Sequence, residues 1–126
     1  MARILLIEDS PTDTAVLTQL LQRNGHEVLS SGSAEDGIEV CKRELPDLVL
    51  MDVRMPGMDG PTAARAIRAA GDATPILALT ANAFSEDRRL CLEAGMNDHL
   101  VKPLDPEALR AALTRWTNRA NHAKVA

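Results

Sequence analysis

No stretch of this chain stays apolar for the roughly 18 residues that a membrane-crossing helix needs. Runs of basic residues are also missing. Lys and Arg never exceed two in a row, as at Lys42-Arg43 and Arg88-Arg89. The formal net charge is -4. Together these argue against a surface that tracks a phosphate backbone, so no direct nucleic-acid contact is expected. Cysteine is scarce. Cys41 and Cys91 form no Cys-x-x-Cys pair and no His/Cys metal spacing, which leaves them as packing thiols suited to a reducing compartment. A glycine-rich loop is absent after the first apolar run. The segment there is Glu8-Asp9-Ser10-Pro11-Thr12-Asp13, whose acids would repel a nucleotide or flavin phosphate. Met1-Ala2-Arg3 leads straight into that run and leaves no room for a signal peptide. A cytoplasmic protein without membrane insertion is the expectation.

What is present suits one domain. The chain has 126 residues, 45% of them hydrophobic and 25% charged, enough to bury a core. Short β-type runs alternate with helical patterns. The runs are Arg3 to Glu8, Glu27 to Ser31, Asp47 to Met51, Pro75 to Leu79 and Asp98 to Val101. Ser10-Pro11 is a helix start, and Val16, Leu17, Leu20 and Leu21 form the expected buried stripe of that helix, with Gly25 ending it. Further helices are expected from Ala34 to Arg43 behind Ser33, from Thr62 to Ala70, from Ser85 to Ala94 and from Asp105-Pro106 onward. The last carries Leu109, Ala112, Leu113 and Trp116 at helical spacing, with Trp116 as its core anchor. Residues 1–120 form the expected domain and 121–126 a frayed tail. Five strand–helix units imply a doubly wound parallel sheet, an α/β fold with helices on both faces.

In such a sheet the site forms outside the carboxyl ends of the strands. Glu8 and Asp9 follow the first strand, Asp52 the third, Thr80 the fourth and Lys102 the fifth. Taken singly, each has an ordinary reading as a cap, a turn residue or a solvated charge. Arriving together at one edge, they read as an acidic phosphate or metal site. Three carboxylates crowded together need a cation, and hard oxygen ligands without His or Cys select Mg²⁺. A carboxylate can also accept a phosphoryl group. Lys102 would then supply a second positive charge, and the Thr80 hydroxyl would bond a phosphoryl oxygen.

The segments Ile7-Glu8-Asp9, Leu50 through Gly60 (LMDVRMPGMDG), Ala78-Leu79-Thr80-Ala81-Asn82-Ala83, Ala94-Gly95 and Leu100-Val101-Lys102-Pro103-Leu104 resemble, in this order and spacing, the receiver domains of two-component response regulators. The resemblance spans about Arg3 to Trp116. It implies a flavodoxin-like (βα)5 sheet in the order 2-1-3-4-5, and these roles: Asp52 as phosphoacceptor, Asp9 as direct Mg²⁺ ligand, Glu8 as a ligand mainly through water, and the Arg54 carbonyl as a further ligand. It also implies Thr80 as switch hydroxyl, Lys102 as the phosphate-pairing lysine, Ala81 as the small residue that admits the phosphoryl group, and a cis Lys102-Pro103 bond. The donor would be a phosphohistidine on a sensor histidine kinase or a histidine phosphotransfer protein. Phosphorylation would draw Thr80 inward and reshape the face of helix four, strand five and helix five, which an unidentified downstream protein would read. Such a protein catalyses only its own phosphorylation and dephosphorylation.

Two departures stand out. The aromatic switch position falls on His99 in a chain without tyrosine. The dephosphorylation-tuning positions carry Arg54 and Asn82, and a bulky cationic Arg54 is expected to slow attack of water. Competing readings are a phosphohydrolase, which in the haloacid-dehalogenase type needs a second Asp where Arg54 stands, and an unphosphorylated protein-binding scaffold. The run from Thr80 to Ala83 and the stretch from Arg88 to Pro103 look most like receivers that are fused to or serve hybrid sensor kinases.

Overall fold

The structure, a computed structural model, describes the backbone of residues 2–81 and 85–125 and the side chains of residues 2–81 and 88–117. The elements run β1 (Arg3–Ile7), α1 (Pro11–Arg23), β2 (Glu27–Ser31), α2 (Ala34–Glu44), β3 (Leu48–Asp52), α3 (Gly60–Ala69), β4 (Ile76–Thr80), α4 (Ser85–Glu93), β5 (Asp98–Val101) and α5 (Pro106–Val125). The strands form one five-stranded sheet, β2-β1-β3-β4-β5. Every pairing is parallel. The expected (βα)5 order is the observed one.

The period of two along each strand divides the core. Leu5, Ile7, Val49, Met51, Ile76 and Ala78 face α2, α3 and α4, where Val40, Cys41, Ala63, Ala64, Ile67 and Cys91 meet them. Ile4, Leu6, Leu48, Leu50, Leu77 and Leu79 face α1 and α5, against Leu17, Leu21, Leu109, Leu113 and Trp116. β1, β3 and β4 are therefore apolar on both sides, as helix-covered parallel strands must be. Both cysteines are buried and outside any disulfide, as expected. Burial first, then the Asp72 carboxylate, pushes the Cys41 thiol up to about 12.

The helix starts follow their capping residues. The Ser10 side chain accepts from the Asp13 N–H at 3.3 Å, and Ser33 does the same for Asp36 at 3.2 Å. Gly25 takes φ 84°, the left-handed conformation a residue after a helix often needs. Several boundaries differ from expectation by a residue or two, and two helix termini stand out. α3 starts at Gly60 rather than Thr62, because Asp59 caps it by accepting from the Thr62 N–H at 2.9 Å. α2 ends on Leu45, a non-glycine residue at φ 49° that no local signal marks. α5 continues to Val125, and no Gly or Pro between Glu107 and Val125 stops it. One packing expectation is corrected. Val16 is 52% exposed, so the buried face of α1 rests on Leu17 and Leu21 with Leu20 beside them. Val16 instead lines a shallow cleft between α1 and the segment Lys102-Pro103-Leu104.

The end of the sheet opposite the strand carboxyl ends is tied by Arg68. Its Nε donates to the Gly95 carbonyl at 3.0 Å, and one terminal nitrogen donates to the Asp72 and Thr74 carbonyls at 2.8 and 2.9 Å. The other donates to Asn97 Oδ1 at 2.9 Å, an oxygen that also accepts from the Ile76 N–H at 2.8 Å. One guanidinium thus joins α3 to the start of β4 and to the α4–β5 turn. Arg68→Ala is expected to lower stability by about 1.5–3 kcal/mol, since it strands several partly buried acceptors of a charged donor. A urea midpoint equal to that of the wild type would contradict this.

Candidate functional site

Four strand ends supply the site. Glu8 directly follows β1, Asp52 closes β3, Thr80 closes β4, and Lys102 directly follows β5. Asp52 and Thr80 are thus the last residues of their strands rather than the first after them. The sheet fixes these positions through its backbone. The Val53 N–H donates to the Leu79 carbonyl at 3.0 Å, and the Lys102 N–H donates to the Thr80 carbonyl at 2.7 Å. The backbone of the lysine is therefore bonded to that of the hydroxyl residue. The Glu8 N–H donates to the Ser31 carbonyl at 3.0 Å. Chain order reverses at β1, with β2 on one side and β3 on the other, so Glu8 and Asp52 flank the topological switch point.

The loop after Asp52 is held closely. Gly60 packs so tightly that a Cβ would lie 2.6 Å from the Asp52 carbonyl oxygen and 3.0 Å from Val53 Cα. Its N–H donates to the Val53 carbonyl at 2.9 Å. The Met58 N–H donates to Glu35 Oε1 at 3.1 Å, and Met55 is buried. Asp59, Gly60, Met55 and Met58 thus shape and pack the loop.

The carboxylates converge. One oxygen each of Glu8, Asp9 and Asp52 lies within 4.8 Å of the others. Glu8 is 2% exposed, Asp52 is 9% exposed, and Asp9 is exposed. Lys102 Nζ lies 2.5 Å from Glu8 Oε1, 3.1 Å from Asp13 Oδ2 and 3.5 Å from Asp52 Oδ2. Burial, then the hydrogen bond and charge of Asp52, push the Glu8 carboxyl up to about 8 despite Lys102. Burial opposes the Lys102 charge, but its bonds to Glu8 and Asp13 and the fields of Asp52 and Glu8 outweigh it and raise its pKa. The hydrogen bond from Lys102 lowers the Asp13 carboxyl. The cluster therefore holds more negative charge than one lysine offsets. All-oxygen donors at this spacing, with a carboxyl that resists ionising, fit a small hard cation such as Mg²⁺.

The remaining expected residues fall around this centre. Thr80 is buried, Ala81 follows it at the surface, and the exposed Arg54 places its N–H 3.4 Å from Asp52 Oδ1. His99 lies in β5 paired with Ala78, partly buried, with Nδ1 3.8 Å from Asp98 Oδ1. Lys102-Pro103 is cis, as expected. Asn82 lies outside the described residues. Asp13 was not foreseen as part of the centre. It is 89 positions from Lys102 in the chain, and its third place in α1 marked it only as a first-turn acid.

A parallel sheet in this order thus carries an acid triad and a lysine at the carboxyl ends of its strands, the layout of a doubly wound α/β domain with an acidic site at its switch point. Residues 4–114 match the response regulator receiver domain family, and the chain belongs to that family. It is a receiver domain of two-component signalling. PilH of Pseudomonas aeruginosa is 40% identical over 111 residues, which cover 86% of this chain and 92% of PilH. Sensor protein GacS of Pseudomonas syringae is 38% identical over 123 residues, or 94% of this chain, which spans only 14% of that relative. The receiver domain of a Pseudomonas aeruginosa sensor histidine kinase, solved with a magnesium ion in its active-site cleft, superposes with a TM-score of 0.86 at 41% identity. It covers 93% of this chain and 98% of that one.

The raised Glu8 carboxyl makes stability depend on pH. Its folded value, about 8, lies above its ordinary 4.5, so its contribution is full below 4.5 and is lost as pH rises toward 8. Mg²⁺ held by the ionised acids should restore the loss. Thermal unfolding with and without millimolar Mg²⁺ should show a larger Mg²⁺-dependent rise in Tm near pH 8 than near pH 5.5. An equal rise at both would refute the assignment.

Proposed function

We propose that this chain accepts a phosphoryl group on Asp52 and so switches the binding of a partner protein. The observation that carries the reading is Lys102 Nζ at 3.5 Å from Asp52 Oδ2, beside an acid cluster with metal-ligand spacing. Glu8, Asp9, Asp52 and the Arg54 carbonyl would hold Mg²⁺, which supplies charge neutralisation when bound. A carboxylate oxygen of Asp52 attacks the phosphorus of a phosphohistidine. The O–P bond forms, the P–N bond breaks, and the imidazole leaves with its electron pair and takes a proton from solvent. The donor is a sensor histidine kinase or a histidine phosphotransfer protein in the cytoplasm. Lys102 pairs with the added charge, and the Thr80 hydroxyl bonds a phosphoryl oxygen. Ala81, which follows Thr80, is small and leaves access to the acceptor, while Asn82 stands at the second tuning position. Residues 1–120 act as the receiver unit, and the protein modifies itself rather than turning over a substrate.

The switch is a two-state element biased by one charged group. Thr80 closes β4 opposite Val101, and His99 lies two residues before Val101, on the same strand face. His99 therefore takes the relay role, and the face of α4, β5 and α5 is the output. Phosphoryl transfer from acetyl phosphate with Mg²⁺ should leave one phosphoryl adduct on the wild type and none on Asp52→Asn. His99→Ala should still take up the adduct but lose the change in β5 amide resonances that accompanies it. An adduct on Asp52→Asn would end the reading.

Arg54 is exposed two residues after the acceptor, where its bulk would hinder attack of water on an aspartyl-phosphate. Arg54→Ala should shorten the phosphoryl lifetime about two- to tenfold, a barrier change of about 0.4–1.4 kcal/mol. A decay rate equal to that of the wild type would remove Arg54 from the mechanism.

A further inference from the structure

Lys102 is shared among three acids, and the acceptor is the most distant of them. Its Nζ donates to Glu8 Oε1 at 2.5 Å and to Asp13 Oδ2 at 3.1 Å, while Asp52 Oδ2 lies at 3.5 Å. An ammonium has three protons to donate. Full engagement with a phosphoryl group on Asp52 therefore takes it partly away from the other two. Glu8 belongs to the acid cluster and gains a cation as Lys102 leaves. Asp13 lies outside that cluster and gains no replacement.

We propose that Asp13 is a counter-anion that holds Lys102 back from the acceptor and so weakens the retention of the phosphoryl group. The proposal rests on the phosphoacceptor reading of Asp52. Asp13 keeps its place and its charge without Lys102. It sits in the first turn of α1, where the helix dipole favours an anion, and the Ser10 cap fixes its backbone. Its carboxylate is 44% exposed, so it is stable in water and has no need of the lysine. It also lines the end of the cleft formed by Val16, Leu17, Leu20, Pro103 and Leu104, next to Lys102. Asp13 lies outside the acid triad, though a side-chain hydrogen bond also links it to Glu8. It acts through Lys102 and is a positioning residue. A half-exposed pair is screened, so its effect is modest and falls with salt.

The test compares the wild-type chain with Asp13→Asn, Asp13→Glu and Asp52→Asn. Two affinities are measured: Mg²⁺ alone, and beryllofluoride, a phosphoryl mimic, at saturating Mg²⁺. Asp13→Asn should bind beryllofluoride about two- to fivefold more tightly at low salt, with the gain shrinking as salt is raised. Its Mg²⁺ affinity should stay level or fall, because an anion near the cation has been removed. Opposite directions for the two ligands are something a merely structural role would not produce. Asp13→Glu keeps the charge and should stay near the wild type. Beryllofluoride affinity unchanged or weakened in Asp13→Asn, or a gain shared equally by Mg²⁺, overturns the proposal while leaving the acceptor reading intact. Failure of the wild type to bind beryllofluoride, or undiminished binding by Asp52→Asn, overturns the acceptor reading and the Asp13 role with it.

Discussion

Like charges held together at the carboxyl edge of the sheet are the constraint on which this structure turns. Glu8 and Asp52 are both buried, and one lysine reaches both. Left to themselves the acids would separate or stay protonated. They cannot separate, because each is fixed by a strand with a fully apolar interior, and Glu8 resists ionising instead. The hydrophobic sheet does more than stabilise the fold. It holds the acids at a spacing their electrostatics oppose, which makes the site receptive to a cation and to a tetrahedral anion bridging to it.

The two ends of the sheet differ accordingly. At one end Arg68 satisfies carbonyls from the two segments that lead into β4 and β5. At the other, Lys102 faces more negative charge than it can neutralise. The first arrangement suits a hinge-free base. The second suits a centre that changes when charge is added. The close seat of Gly60 against Asp52 and Val53 belongs to the same division, since any side chain there would displace the backbone that carries the acceptor.

Much of this was legible along the chain. Strand positions followed from apolar runs, helix starts from Ser10 and Ser33, and the edge residues from the rule that sites gather at strand carboxyl ends. What escaped was of two kinds. Val16 has the spacing of a buried residue, but periodicity gives a helix face and not its width, and the α1 interface is narrower than the stripe. The Asp13–Lys102 pair joins the first helix to the last strand. Nothing local encodes a contact between side chains 89 positions apart. The left-handed Leu45 is similar, because no glycine or asparagine announces it.

Trp116 adds a consequence of a different sort. It is the sole tryptophan, it is buried, and its indole N–H donates to Asp98 Oδ2 at 3.2 Å. Asp98 opens β5, the strand that ends beside Lys102. Emission from the chain therefore comes from one fluorophore, hydrogen-bonded across the joint between β5 and α5. The protein carries its own optical gauge of that joint, with no background from a second indole to subtract.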